Sequence, residues 1–325
     1  MKKSPKASDN PEGKINDLIF RELLNRGYSI EGNTRVWNIA DSKLWYLTPE
    51  QAKAFLDLEK RDSKQKMFVR KEINLINSSF NQIKEELDNK KINIADLGCG
   101  DGEKALVLAK NFKDKKSIRY FPLDVSPYMV SAAIRTFSRI KSIQTIKSKH
   151  NVSDFFSLDA VASGLKNKEF KINFMLLLGG SLENSDVHQL LHDIRRAMRD
   201  QDYLLIGNKL THPDPEKMVK YYNSSKHIEK LMFKTVEQLG FNKKEGIYGA
   251  RWRGSRIEMY YTIKENKTIK YKGKKVEFKR GDKIIIAISY KYTKDKLLEY
   301  LNLYFNDVEL FTSKDDSYAL ALCKK

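Results

Sequence analysis

The residues best suited to chemistry are a cluster of glycines and an acid that follows them. Asp96-Leu97-Gly98-Cys99-Gly100-Asp101-Gly102 stands between a short apolar run, Ile92–Leu97, and a stretch of helical spacing at 103–110. Glycine suits that place because the backbone must turn with φ unrestricted and pass close to a ligand. The spacing is G-x-G-x-G, not the G-x-G-x-x-G of dinucleotide enzymes, and no Walker lysine accompanies it. Further on, Phe121-Pro122-Leu123 runs into Asp124. A carboxylate at such a strand end can accept both hydroxyls of a ribose. Glycines also serve tight turns that hold no ligand, and Asp124 also suits a solvated loop or a helix cap, with Ser126 competing for the cap. Strand, loop, helix, strand and acid in register favour an adenosine site.

The elements that must position these residues alternate. Strands are predicted at Ile92–Leu97, 117–123, 145–149, 171–178 and 203–207, with helices at 103–110, 127–140 and 187–198 between them. The continuous apolar run at 171–178 is the mark of a strand buried on both faces of a parallel sheet. The rhythm is that of an α/β, doubly wound sheet. Helices are also predicted at 15–25 and 67–87, the latter preceded by an aromatic, irregular stretch at 37–47. Thr48-Pro49-Glu50-Gln51 reads as a helix start, with Thr as cap, Pro at the first turn and Gln three residues on. After Pro213 the pattern changes: a long helix around 216–239, strands at 257–263, 268–271, 275–278 and 284–289, a helix at 294–303 and a last strand at 318–323.

The 325 residues carry a formal charge of +19. Clustered Lys and Arg would fit a nucleic-acid partner. Here the basic residues are spread along the chain, many beside acidic ones, and the densest stretch, 264–283, alternates Lys with apolar residues as a half-solvated hairpin does. The charge leaves nucleic acid open as a partner without naming one. Apolar runs are too short for a membrane span, which needs about 20 residues. The start, Met1-Lys2-Lys3-Ser4-Pro5, has no apolar segment after it, so it reads as a disordered basic tail and the cytoplasm is the expected location. Two cysteines, Cys99 and Cys323, make no disulfide framework, and no metal-ligand spacing is present.

The tight glycine loop with its distal acid resembles the class I S-adenosylmethionine-dependent methyltransferases, whose sheet is Rossmann-like. Within that class the chain resembles the histidine-specific N-methyltransferase family, whose best-known members trimethylate the α-amino group of histidine. Leu97-Gly98-Cys99-Gly100-Asp101-Gly102-Glu103-Lys104 is similar to the family's L-G-S-G-x-x-E-K, and Phe121 to Ser126 to its Y-x-P-x-D-V-S. Ser153-Asp154-Phe155 is similar to a D-F pair at adenine. Leu178-Gly179-Gly180-Ser181-Leu182-Glu183-Asn184 resembles F-L-G-G-T-I-G-N, Tyr222-Asn223 a Y-N/D element and Arg256-Ile257-Glu258-Met259 a W-I-E-M element. Phe278 to Asp282 with Ser289-Tyr290-Lys291-Tyr292 resembles F-x-x-G-E with S-x-K-Y, and Trp45-Tyr46-Leu47-Thr48-Pro49-Glu50 aligns with Y-Y-P-T-R-x-E.

The resemblance implies S-adenosylmethionine as cofactor and a small-molecule acceptor. Gly98, Gly100 and Lys104 would hold the methionine end, Lys104 by pairing with its carboxylate; Asp124 would hold the ribose, and Asp154 and Phe155 the adenine. Asn184 would take the acceptor's amino-acid head group, Glu258 its side chain, and Trp45 and Tyr46 would line the pocket. No residue is singled out as catalytic. The expected division is a tail at 1–13, an acceptor-binding region at 14–62 and 213–290, and a cofactor domain at 63–212 and 291–325, the acceptor region being the smaller, α+β part. Three departures surround the acceptor: Glu183 replaces a glycine, Tyr260 stands where a small or polar residue is usual, and Ala287-Ile288-Ser289 lacks the acid before the serine. No D/N-P-P-Y/F follows the strand at 174–178 and no Pro-Cys exists, which argues against base-amino and covalent cytosine chemistry. The expected activity is methyl transfer to the amino group of an amino acid or related amine, histidine included. A basic macromolecule or polyamine-like acceptor, or a non-catalytic cofactor-binding module, are the alternatives.

Overall fold

The computed structural model describes residues 15–87, 90–152, 158–211 and 214–325. The chain begins with helix α1 (Asp17–Arg26), capped by the Asn16 side chain, and strands β1 (Ser29–Glu31) and β2 (Thr34–Asn38). A 3₁₀ turn, Ser42–Trp45, leads into α2 (Pro49–Arg61). Thr48 and Gln51 form the reciprocal cap read from the sequence. The helix predicted at 67–87 is two helices, α3 (Ser63–Ser78) and α4 (Phe80–Glu86), broken at Ser79, whose hydroxyl bonds back to the Leu75 carbonyl.

Strand β3 (Ile92–Leu97) then opens a seven-stranded sheet: α5 (Glu103–Asn111), β4 (Ile118–Leu123), α6 (Pro127–Phe137), β5 (Gln144–Thr145), α7 (Leu158–Gly164), β6 (Ile172–Leu177), α8 (Val187–Ala197) and β7 (Tyr203–Lys209). Beyond these come α9 (Pro215–Ser224) and α10 (Lys226–Glu237), split at Ser225, where one helix was expected. Strands β8 (Gly246–Arg253), β9 (Arg256–Ile263), β10 (Lys267–Tyr271), β11 (Lys274–Phe278) and β12 (Lys283–Tyr290) follow, and α11 (Lys294–Tyr304), β13 (Asp307–Thr312) and β14 (Tyr318–Lys324) end the chain.

The large sheet runs β13-β14-β7-β6-β3-β4-β5, parallel except for β14, which is antiparallel to both neighbours. Every residue of β3 and of β6 is buried. Their side chains alternate between two cores: Ile92 and Ile94 join one, Ala95 and Leu97 the other. Strand order reverses between β3 and β6, with β4 and β5 on one side and β6 and β7 on the other. Crevices for ligands open at the carboxyl ends of strands at such a point.

A second sheet, β1-β2-β12-β9-β8, together with the β10–β11 hairpin, shares a third core with α1, α2 and α10; its buried members come from 15–58 and 222–287. Strand β8 was missed in the sequence because two glycines interrupt it. Gly249 has a physical reason: a Cβ there would lie 2.8 Å from Cζ of Tyr260 on the paired strand. Among the described residues no helix is long and apolar enough to cross a membrane.

Candidate active site

The loop after β3 is strapped to β4, for the amides of Gly98 and Cys99 both donate to the carbonyl of Leu123, at 2.8 and 3.0 Å. Gly98, Gly100 and Gly102 have φ of 71°, 53° and 76°. At Gly102 the need for glycine is twofold: a Cβ would also sit 3.0 Å from Ala133 Cα on α6. Asp124, at the tip of β4, accepts from Gly100 N at 3.2 Å and from Ser126 N at 2.9 Å. It is therefore neither a solvated loop acid nor the cap of α6. Burial pushes its pKa up to about 6 against the pull of those amides. Asp96, at the end of β3, is more deeply held; burial pushes it up to about 7, although the Tyr120 hydroxyl donates to it at 2.7 Å.

These groups face a cavity of about 310 Å³ that Gly98, Gly100, Lys104, Asp124, Tyr46 and Asn184 help to line. In a chain of net charge +19 this wall is acidic: Asp41, Glu59, Asp96, Asp101, Asp124, Asp186 and Asp193 stand against Lys43 and Lys104. Lys104 on α5 has protein partners, Glu59 Oε1 at 2.7 Å and Glu72 Oε2 at 3.7 Å. Burial lowers its pKa, but the two carboxylates outweigh that and raise it. Its charge is thus already matched, and pairing with a cofactor carboxylate, as the resemblance implies, meets two competing acids. Glu72 also accepts from Gly179 N at 2.9 Å. A Cβ on Gly179 would lie 2.6 Å from Lys104 Nζ, so this glycine lets the lysine approach the backbone. Asp154 and Phe155 lie outside the described residues.

A smaller cavity of about 70 Å³ shares Tyr46, Phe55, Glu59, Gly179 and Asn184 with the first. Asn184 ends a 3₁₀ turn, Ser181–Asn184, and does not cap α8, because Asp186 does. Trp45 is both core and wall: its ring N–H donates to the Ile286 carbonyl at 3.0 Å, and the residue also lines the small cavity. Tyr46 stands edge-on to Phe55, and burial raises its phenol pKa. Glu183, Lys209, Tyr222, Met259 and Ser289 complete the lining. Glu183 accepts from Lys291 Nζ and from Ser289 Oγ at 2.9 Å; burial would raise its pKa, but Lys291 and Lys209 lower it. Glu183 is thus the carboxylate that lies beside Ser289, although no acid precedes Ser289 in the sequence. Tyr222 is likewise opposed by burial, yet the two lysines lower its phenol pKa.

Glu258 is elsewhere. Met259 beside it lines the small cavity, so strand alternation turns Glu258 to the other face of β9. There it is fully buried, with Oε1 taking two bonds from Arg256, at 3.0 and 2.7 Å, and Oε2 one from Arg251 at 2.8 Å. The expectation that it grips the acceptor is withdrawn on that geometry; Tyr260 shares its face and lines neither cavity.

Sequence reasoning missed Asp96, Glu59, Glu72 and Lys209. Two carried a signal, for Asp96 is an acid inside an apolar strand, and Glu72 falls on the helical stripe of Phe68, Leu75 and Ile76.

A family model of histidine-specific, S-adenosylmethionine-dependent methyltransferases matches residues 67–325. The chain belongs to that family. It is accordingly an S-adenosylmethionine-dependent methyltransferase, and its sheet is the class I sheet. Among solved structures it is similar to an S-adenosylmethionine-dependent methyltransferase from Clostridium acetobutylicum ATCC 824 (14% identity, 84% of this chain and 96% of that one, TM-score 0.41). It is also similar to the PH0226 protein from Pyrococcus horikoshii OT3 (12% identity, 85% and 99%, TM-score 0.45). Among curated proteins none matches it in sequence.

Proposed function

We propose that this methyltransferase places a methyl group on the amino nitrogen of a small amino acid, the acceptor occupying the small cavity and the cofactor the large one. The observation that carries the reading is the shared wall of Tyr46, Phe55, Glu59, Gly179 and Asn184, across which two ligands would meet. The large cavity fits S-adenosylmethionine by its glycine backbone, by the Asp124 carboxylate at the strand tip and by an acidic wall suited to a cation. Bound there, the cofactor supplies an electrophilic methyl group on a sulfonium.

The chain's own residues do the rest. Gly98 and Gly100 would allow close approach, Asp124 would accept the ribose hydroxyls, and Lys104 pairs with Glu59 in the wall and with Glu72 behind it. Asn184, whose amide makes no hydrogen bond among the described residues, is available to an amino-acid head group. An amine nucleophile must arrive with a free lone pair aligned to the methyl, and holding it so can contribute about 7–11 kcal/mol. Tyr46, kept protonated by burial, can accept a hydrogen bond from the amine but not its proton. The reading is tested with Asn184→Ala on a panel of amino acids and amines. The acceptor KM should rise by about tenfold or more, the loss of a hydrogen bond to a charged group. Affinity for S-adenosylhomocysteine should hold. Equal losses for acceptor and cofactor would defeat the assignment.

A further inference from the structure

The two cavities differ in charge. The large one is walled mostly by carboxylates, whereas the small one sets Lys209 in its lining and Lys291 behind it against Glu183 and the shared Glu59, which Lys104 already pairs. Lys291, behind that wall, is fully engaged: its ammonium meets Glu183 Oε2, Ser289 Oγ at 2.6 Å and the Tyr222 hydroxyl at 3.2 Å. Lys209 is not. It ends β7, half-buried, and lines the small cavity. Its ammonium donates to the neutral Gln65 amide oxygen at 2.9 Å and lies 5.3 Å from the Phe68 ring centroid, with no carboxylate paired to it among the described residues. Burial raises the pKa of Glu183 and Tyr222, and Lys291 first and Lys209 second lower it, so both lysines lie close enough to act on this wall.

A cation withdrawn from water is stable when an anion meets it. The cavity also presents Glu183 Oε1, a buried carboxylate oxygen without a hydrogen-bond partner, which an N–H donor would satisfy. An occupant with an anion at one end and N–H groups elsewhere answers both.

We propose that Lys209 seats the carboxylate of the acceptor, so that the enzyme selects amino acids with a free carboxylate over the matching amides and simple amines. This rests on the reading that the small cavity holds the acceptor. The substrate class is thereby narrowed to zwitterions or anions, and decarboxylated amines are excluded.

The test compares each amino acid of a standard panel with its primary amide. Methyl transfer is measured with S-adenosylmethionine, and binding to the S-adenosylhomocysteine-loaded protein by calorimetry. The wild type should favour the free acid by about 10- to 100-fold in kcat/KM, the range for a hydrogen bond to a charged group. Lys209→Gln should remove that preference by raising the acid's KM to that of the amide. Affinity for S-adenosylhomocysteine should stay unchanged, and Lys209→Arg should restore part of the preference. Acid and amide used equally well by the wild type, or a preference that survives in Lys209→Gln, would overturn the assignment. The wild-type comparison stands even if a variant folds poorly. Methylation of polyamines or protein fractions, with no free amino acid bound or turned over, would sink the acceptor reading itself. Amino-acid turnover indifferent to the carboxylate would sink the role of Lys209 alone.

Discussion

Replacing Asp96 by Asn removes one ionisable group from the best-buried part of the cavity wall, and its effect can be worked out in advance. Asp96 is 4% exposed, and burial lifts its pKa from an ordinary 3.8 to about 7, with Asp124 and Glu72 adding to the lift and Tyr120 and Lys104 opposing it. At pH values between these two, the unfolded chain has lost this proton while the folded chain keeps it. Folded protein then binds more protons than unfolded, so stability from this group is full below about pH 4 and is lost as pH rises to about 7. The shift is about three pH units at about 1.4 kcal/mol each, or about 4 kcal/mol in all. Asn cannot ionise and escapes that loss. Its extra N–H adds a constant cost of about 1–3 kcal/mol if left unpaired, which moves the whole curve without changing its slope. Urea unfolding followed by circular dichroism from about pH 5 to about pH 8 reads the difference. The wild type should lose more stability than the variant over that interval. Parallel curves would refute the argument. A cationic donor should also bind more tightly as pH rises through this range, and its neutral product much less so.

The remaining predictions concern single contacts. Glu258→Gln should leave the acceptor KM unchanged while destabilising the fold by about 2–4 kcal/mol, since Arg251 and Arg256 lose their shared carboxylate; a KM effect without a fall in Tm would reverse our reassignment. Asp124→Ala should weaken S-adenosylhomocysteine by at least about 100-fold, through loss of the ribose acceptor and of the bond that shapes Gly100, as calorimetry would show. Gly102→Ala should lower stability by about 1–3 kcal/mol, from positive φ and the contact with Ala133; an unchanged unfolding midpoint would contradict this. Lys104→Met leaves Glu72, 1% exposed, without its cation, so a loss of about 3–5 kcal/mol is expected in urea unfolding.

What the sequence disclosed and what it hid follow from where the constraints act. Gly98, Gly100 and Asp124 were legible because loop geometry and strand-end position are local properties. Continuous apolar runs disclosed β6 and β7 for the same reason. Glu59, Glu72 and Lys209 reach the site only when α2, α3 and β7 pack together, and no local pattern records that meeting. Lys104 lines the cavity, yet its partners sit 45 and 32 residues away in sequence, on two other helices. Glu258 failed on phase: alternation says that neighbours face opposite ways, but not which of Glu258 and Met259 turns inward. That is decided by packing of β9 on the third core. Tyr46 and Trp45 diverge because Trp45 closes a 3₁₀ turn into the core while Tyr46, one residue on, faces both cavities.

The most direct test incubates the purified protein with S-adenosylmethionine and a panel of free amino acids, and follows products by mass spectrometry. We predict one amino acid gaining the mass of one or more methyl groups on its amino nitrogen, with S-adenosylhomocysteine formed in step. No methylated amino acid and no calorimetric binding of the donor would contradict the account.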